Sequence, residues 1–370
     1  MPSMMFAGIV VTLTLLTIQI TGNYFLRFLS IALVICSISF VRDISTSSSL
    51  VVCFYSLLQN VISVIIGLHV VKTNDYSFSK FILIVILSTY TVTAITTYFG
   101  NLAIPEASRL LATASDKDTS LRSDISKLNI GDFSFIYTIV LWIPLLLGML
   151  KFWRKWFVVL LSVLVSFYLA IYVSEYTTAL LFAILPLLLL FSKKGLDYKS
   201  TRMLVLLYIG IAVIVMPLLP VVIQFFDSSI GSHLISARLS EVSDFVSNPQ
   251  YATSDSQSDL ISRRSLYLKS YGSFLQSPIW GSLSYKKLGG HSTFFDILGF
   301  LGLIGGALYY FLWKNIYVHF LKPYKHKPFF GYFCFALICS IILSIFNPFI
   351  SIFFYSFIVP STIVCFDNSK

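Results

Sequence analysis

Charge is what this sequence has least of. Only 11% of its 370 residues are Asp, Glu, Lys or Arg, against about 25% in soluble domains. At the same time 57% are hydrophobic and the mean hydropathy is +0.85. An ordinary soluble globule is therefore excluded. Cysteine is also sparse: Cys36, Cys53, Cys334, Cys339 and Cys365 lie in or beside apolar blocks without metal-ligand spacing. They read as small hydrophobes, with no disulfide framework. The alternating ten-residue pattern of a membrane β-barrel is missing. No basic residue precedes Arg27, so the first apolar block lacks the charged start of a signal peptide and reads as a retained span. No internal repeat is visible, which counts against inverted-repeat transporters.

What is present is a series of apolar blocks, about 17 to 24 residues each, the length a helix needs to cross ~30 Å of hydrocarbon. In lipid only closed backbone hydrogen bonding survives, so the expected fold is an all-α, polytopic transmembrane bundle. About eleven spans are expected, at roughly 4–22, 25–41, 49–71, 81–100, 134–151, 156–173, 175–192, 203–226, 292–313, 329–346 and 348–366. Three regions follow: 1–226, with eight spans and an outer loop at 101–133; 227–291, a large outer loop; and 292–370, with the last spans and a cytoplasmic tail.

The formal charge of +10 is tempting as a nucleic-acid signal, but its placement argues against one. The basic residues cluster in short loops: Lys72 and Lys80, Lys151 to Lys155, Lys193 to Arg202, and Lys314 to Lys327. An even number of spans separates each pair of loops, so all can lie in the cytoplasm, as the positive-inside rule expects. That orientation sets 15 Lys and Arg with Asp75, Asp197 and Asp367 inside, and 11 Lys and Arg with the other 13 acids outside. The net charges are then +12 and −2. The N-terminus falls outside and the C-terminus inside.

Loops longer than about 15 residues are usually functional or disordered. The 227–291 loop carries helical periodicity, in Ile235, Leu239, Val242 and Phe245 and again in Leu260, Arg264, Tyr267, Leu268, Tyr271 and Phe274. With a polar stretch at 247–259 between them, these predict two short helices at the outer membrane surface. Pro278 and Gly281 stop the second helix. Gly289-Gly290 permits a tight turn immediately before a span, placing His291 at a helix entry where free N–H groups favour an anion. Thr293 and Asp296 have the spacing of a capping box.

Arginine holds a pyrophosphate better than lysine because it stays charged and donates bidentately. Arg263, Arg264 and Arg238 are candidates near one mouth, Arg264 being favoured as inward-facing by its stripe with Tyr267, Leu268 and Tyr271. Histidine is the usual group for removing a hydroxyl proton near neutral pH, worth about 10²- to 10⁴-fold. An Arg and His cluster at an external membrane-level mouth suits glycosyl transfer from a lipid pyrophosphate. No Asp-x-Asp pair lies in the 227–291 loop that carries this cluster, so a metal-free mechanism with no cofactor is expected. Plainer readings stand beside these. Arg263, Lys286 and Lys287 equally suit lipid-phosphate anchors, and Asp296 suits a cap. Gly299, Gly302, Gly305 and Gly306 suit close helix packing. Glu175, in Ser174-Glu175-Tyr176 between two spans, is a functional candidate by its place at the membrane edge or a solvated turn residue. Arg109 is open in the same way.

These residues resemble the Wzy polymerases and O-antigen ligases, integral-membrane glycosyltransferases of the C type. The likeness is carried by Arg264 with its aromatic helix, by Ser277-Pro278-Ile279-Trp280-Gly281, and by Gly289-Gly290-His291-Ser292 followed by Asp296, Gly299, Gly302 and Gly305. Asn129-Ile130-Gly131-Asp132, opening a span, adds to it. The resemblance implies a bacterial inner-membrane enzyme that joins undecaprenyl-pyrophosphate-linked oligosaccharide units with inversion. His291 would orient or deprotonate the acceptor hydroxyl, and Arg264 with Arg238 would hold the pyrophosphate, with Lys287 and Tyr176 in support. A chain-length regulator protein is an implied partner. In one departure, many relatives carry Ser-Arg where this chain has Ser174-Glu175, leaving Arg109 or Arg263 to substitute. A ligase acting on another acceptor, and a flippase for lipid-linked oligosaccharide, are the competing readings. Spans nearly free of charge favour the enzyme over the transporter.

Overall fold

The computed structural model describes residues 62–63, 66–104, 107–113, 125, 128–191, 259–349 and 351–368. All regular structure among them is helical. The helices are α1 (Tyr76–Ala103), α2 (Ala107–Thr113), α3 (Phe133–Phe152), α4 (Phe157–Val173), α5 (Thr177–Ile184), α6 (Asp259–Gln276), α7 (Thr293–Ile316), α8 (Phe330–Phe346) and α9 (Val359–Asp367). Among the described residues, four stretches are long and apolar enough to cross a membrane: Tyr76–Ala103, Phe133–Phe152, Arg154–Val173 and Thr293–Tyr324. The expected spans 4–22, 25–41 and 203–226, most of 49–71, Arg238 and the helix over 235–245 lie outside the described residues.

The chain divides into two compact units, one comprising Leu87–Ser265 and His326–Cys339. Here α3 is the central element. It is apolar all round and buried almost throughout, with Ile136, Ile139, Val140, Leu141, Trp142 and Ile143 fully enclosed. Its N-terminus is capped by Asp132, whose carboxylate accepts from the Phe135 N–H at 3.0 Å. At the other end Trp153 stops the helix, and a 3-10 turn through Arg154–Trp156 leads into α4. The short basic loop thus makes a tight helical hairpin. α4 buries one stripe, Leu160, Val163, Leu164, Phe167, Ala170 and Ile171, at helical spacing. Its other face leaves Val158 77% and Val159 53% exposed. In water each such face residue would forfeit roughly 1.5–3 kcal/mol of burial, a cost that apolar surroundings remove. Past Ser174–Tyr176, α5 tightens into a 3-10 segment, Leu185–Phe191. Pro186 there removes one backbone donor.

The other unit comprises Met1–Ile86, Leu266–Lys325 and Ser340–Lys370. Val70, Ile82 and Val364 form one of its cores, with Ile66, Ile86 and Phe357 around them. Gly67 lies so close to the Ser356 carbonyl, in the π-helical turn Phe354–Ile358, that no side chain would fit. α7 is interrupted at Gly302, where φ is +63 and ψ −147. The break frees backbone groups that a continuous helix would pair. The chain between α6 and α7 supplies the missing partners. Ser282 N donates to Gly299 O at 2.8 Å, Leu283 N to Phe300 O at 3.1 Å, and Leu303 N to Pro278 O at 2.7 Å. Gly281 adopts φ +70 against Phe300, where a Cβ would strike backbone.

Candidate functional site

The His291 site is built by α6, the turn at Gly289-Gly290 and the first turns of α7, all within one unit from Leu266 onward. α6 offers the turn its Leu266, Ser270 and Ser273 face; Ser270 is 1% and Ser273 5% exposed. Gly289 approaches the Leu266 backbone so closely that a Cβ would collide with it. Gly299 makes a similar approach, its Cβ position 2.6 Å from Ser270 O. Gly290 takes φ +76, which favours glycine, and turns the chain toward α7.

Hydrogen bonds tie these pieces together. Ser270 Oγ donates to Asp296 Oδ1 at 2.6 Å and accepts from Gly289 N at 2.8 Å. Gly290 N donates to Asp296 Oδ1 at 3.2 Å, and Ser273 Oγ donates to Lys287 O at 2.6 Å. Beyond the turn, Ser292 is the N-cap of α7, its hydroxyl accepting from Phe295 N at 3.2 Å. Thr293 N donates to Asn347 O at 3.2 Å, and Tyr267 Oη to Phe346 O at 2.7 Å. The capping spacing of Thr293 and Asp296 is corrected here. Ser292 caps the helix, and Asp296, one residue too far along to close a box, reaches back to Gly290 and across to Ser270.

Within this frame the His291 side chain is exposed, as are the side chains of Lys286 and Lys287. The carboxylate of Asp296 is buried, at 7% exposure for the residue. Arg263 and Arg264 lie near the start of α6. By register Arg263 falls in line with Leu266, Ser270 and Ser273, while Arg264 falls in line with Tyr267 and Tyr271. Of that second stripe Tyr267 is half-buried, but Leu268 and Tyr271 are 56% and 43% exposed. The periodicity that favoured Arg264 thus follows a partly exposed stripe. Sequence reasoning missed Ser270 and Ser273. Their signal was small polar residues three apart on an otherwise aromatic helix.

A second polar corner forms in the other unit. Asn101 Nδ2 donates to Ser108 Oγ at 2.8 Å and to Thr97 O at 2.9 Å, and Asn101 Oδ1 accepts from Ser108 N at 3.1 Å. Thr97 Oγ1 accepts from Gly131 N at 2.7 Å. Tyr176 Oη donates to Ser108 O at 3.1 Å, and Ser174 Oγ lies 3.5 Å from Ser108 Oγ. This network brings α2, which carries Arg109, to the Ser174-Glu175-Tyr176 turn. Glu175 is half-buried and holds φ +54, uncommon for a residue with a side chain. Tyr176 sits in that turn with Phe133 5.7 Å and Tyr137 6.1 Å away between ring centroids. Burial pushes its phenol well above the ordinary range; Tyr137 adds to this, the Arg109 charge opposes it, and Asp132 adds again. Arg109, Glu175 and Tyr176 are therefore neighbours, although far apart in sequence.

Among the described residues no group of His, Cys, Asp and Glu side chains is placed to hold a metal ion. Cys334, Cys339 and Cys365 are buried thiols. No family model, curated protein or solved structure matches the chain.

Proposed function

We propose that this chain is a membrane glycosyltransferase that polymerises undecaprenyl-pyrophosphate-linked oligosaccharide units into surface polysaccharide, O-antigen or capsule. It would work at the outer face of a bacterial cytoplasmic membrane, as a bundle of about eleven spans of the C-type glycosyltransferase kind. One observation carries the reading: an exposed histidine on a fixed turn, docked to a helix whose first turns hold two arginines, at the entry of an apolar helix long enough to span a bilayer. A lipid diphosphate leaves its headgroup at that depth, and the acceptor sugar must meet it there.

In this mechanism the growing chain is the donor. The terminal hydroxyl of the incoming unit attacks the donor's anomeric carbon from the face opposite the pyrophosphate. The new glycosidic C–O bond forms as the bond to the pyrophosphate oxygen breaks, with inversion. His291 takes or orients the hydroxyl proton. Arg264, Arg238, Arg263 and Arg109 are the cations for the departing diphosphate, whose developing charge they stabilise through charge-assisted hydrogen bonds. Asp296 fixes the turn, and Lys287, Glu175 and Tyr176 are the supporting polar groups.

The test is reconstitution of the purified protein in bilayers with lipid-linked repeat units, reading product length on a gel. His291→Ala and Arg264→Ala are expected to remove long chains, about 10²-fold or more in rate for the histidine. Both variants should remain folded in the membrane. Normal chain length in both would end the assignment. A product attached only to an added core or wall acceptor would favour the ligase, and translocation without polymer the flippase.

A further inference from the structure

The residue that carries the proposed chemistry is held by others that do none of it. A serine hydroxyl has one proton to give and lone pairs to receive with. Ser270 uses both, giving to Asp296 Oδ1 at 2.6 Å and receiving from Gly289 N at 2.8 Å. The same carboxylate oxygen receives the Gly290 N–H at 3.2 Å. Asp296 stands in the first turn of α7, where the helix dipole and free amides favour its negative charge. Backbone is thus fixed before His291 at Lys287, Gly289 and Gly290, and after it at Ser292 and Thr293. Between Gly290 and Ser292 the His291 side chain is exposed. A reacting group needs that combination, because about 0.5 Å of looseness already degrades a productive geometry.

We propose that Ser270 and Asp296 are a positioning pair for His291, pinning the Gly289-Gly290 turn to α6 so that the imidazole meets the acceptor hydroxyl at one fixed place. This rests on the reading that His291 acts on that hydroxyl. Neither residue touches the sugar; they act through the turn.

Two measurements on the full-length protein in nanodiscs test the pair separately from the function. The first is hydrogen exchange at the Gly289 and Gly290 amides. Ser270→Ala and Asp296→Ala are expected to speed it about tenfold or more. Ser270→Thr, which keeps the hydroxyl, should retain wild-type protection, and Asp296→Asn, which keeps one acceptor oxygen, should fall between. The second is polymerisation of lipid-linked units. In Ser270→Ala kcat is expected to drop about tenfold or more while KM for the donor stays unchanged, and Ser270→Thr restores it. Unaltered exchange in both alanine variants overturns the pair. Faster exchange with normal kcat, or lost kcat without faster exchange, overturns its positioning role. If His291→Ala polymerises as well as wild type, the enzyme reading fails, and the exchange data alone decide whether the turn is pinned. Should Ser270→Ala not fold, Asp296→Asn against Ser270→Thr makes the same comparison.

Discussion

Replacing Gly289 by alanine adds one methyl group where the structure has no room for it. The Cβ would lie against the O, C and Cα atoms of Leu266, which belong to the backbone of α6 and cannot swing aside like a side-chain tip. The turn must lift away, and two hydrogen bonds go with it: Gly289 N to Ser270 Oγ at 2.8 Å and Gly290 N to Asp296 Oδ1 at 3.2 Å. The first is worth about 0.5–1.5 kcal/mol and the second, to a carboxylate, about 1.5–3. Their sum, about 2–4.5 kcal/mol, corresponds to roughly 30- to 2000-fold in a local opening equilibrium. Gly272 supplies the control, since it lies within α6 and a Cβ there meets nothing within 4 Å. Gly272→Ala should therefore stabilise α6 by up to ~1 kcal/mol. Hydrogen exchange over 288–292 reads the first effect, and detergent-solubilised thermal unfolding the second. In the proposed reaction, polymer length should collapse in Gly289→Ala and persist in Gly272→Ala. Protection and product in Gly289→Ala that match wild type would refute the reasoning, because the close approach would then carry no weight.

Gly302→Ala places an L residue at φ +63, ψ −147 with its Cβ 2.5 Å from the carbonyls of Pro278 and Ile279, so thermal unfolding should fall by several degrees, at least ~1–3 kcal/mol from backbone strain alone. Asn101→Ala removes three hydrogen bonds, two of which seat α2 at Ser108, and those two cost about 1–3 kcal/mol. The Ser108 amide should then exchange faster, and in the proposed reaction KM for the pyrophosphate donor should rise as Arg109 loses its place. Wild-type exchange at Ser108 would separate α2 from this network.

Length and apolarity make a membrane-spanning helix legible, and the spans expected at 81–100, 134–151 and 156–173 fall within the helical stretches Tyr76–Ala103, Phe133–Phe152 and Arg154–Val173. The amphipathic stretch from Leu260 to Phe274 falls within Asp259–Gln276, and its stop follows at the Ser277–Gly281 turn. The run at 292–313 was legible as a helix but not as a broken one. Four glycines there looked alike, and only partners from the preceding connection single out Gly302. Local sequence cannot foretell hydrogen bonds made twenty residues away. The same limit governs the site. His291 and the Gly-Gly turn stood out by residue type, whereas Ser270 is ordinary until Gly289 and Asp296 come to it. Arg109 and Glu175 were each ambiguous alone, and the contacts of Ser174 and Tyr176 with Ser108 bring the turn of the one to the helix of the other.

The connection between α6 and α7 is fastened at two places, at the interruption around Gly302 and at the approach to His291. A rod secured to its neighbour near both ends cannot swing as a lid. The later half of α6 and the opening of α7 are therefore tied into one piece, and in the proposed reaction substrate would have to reach the imidazole past a wall that does not part.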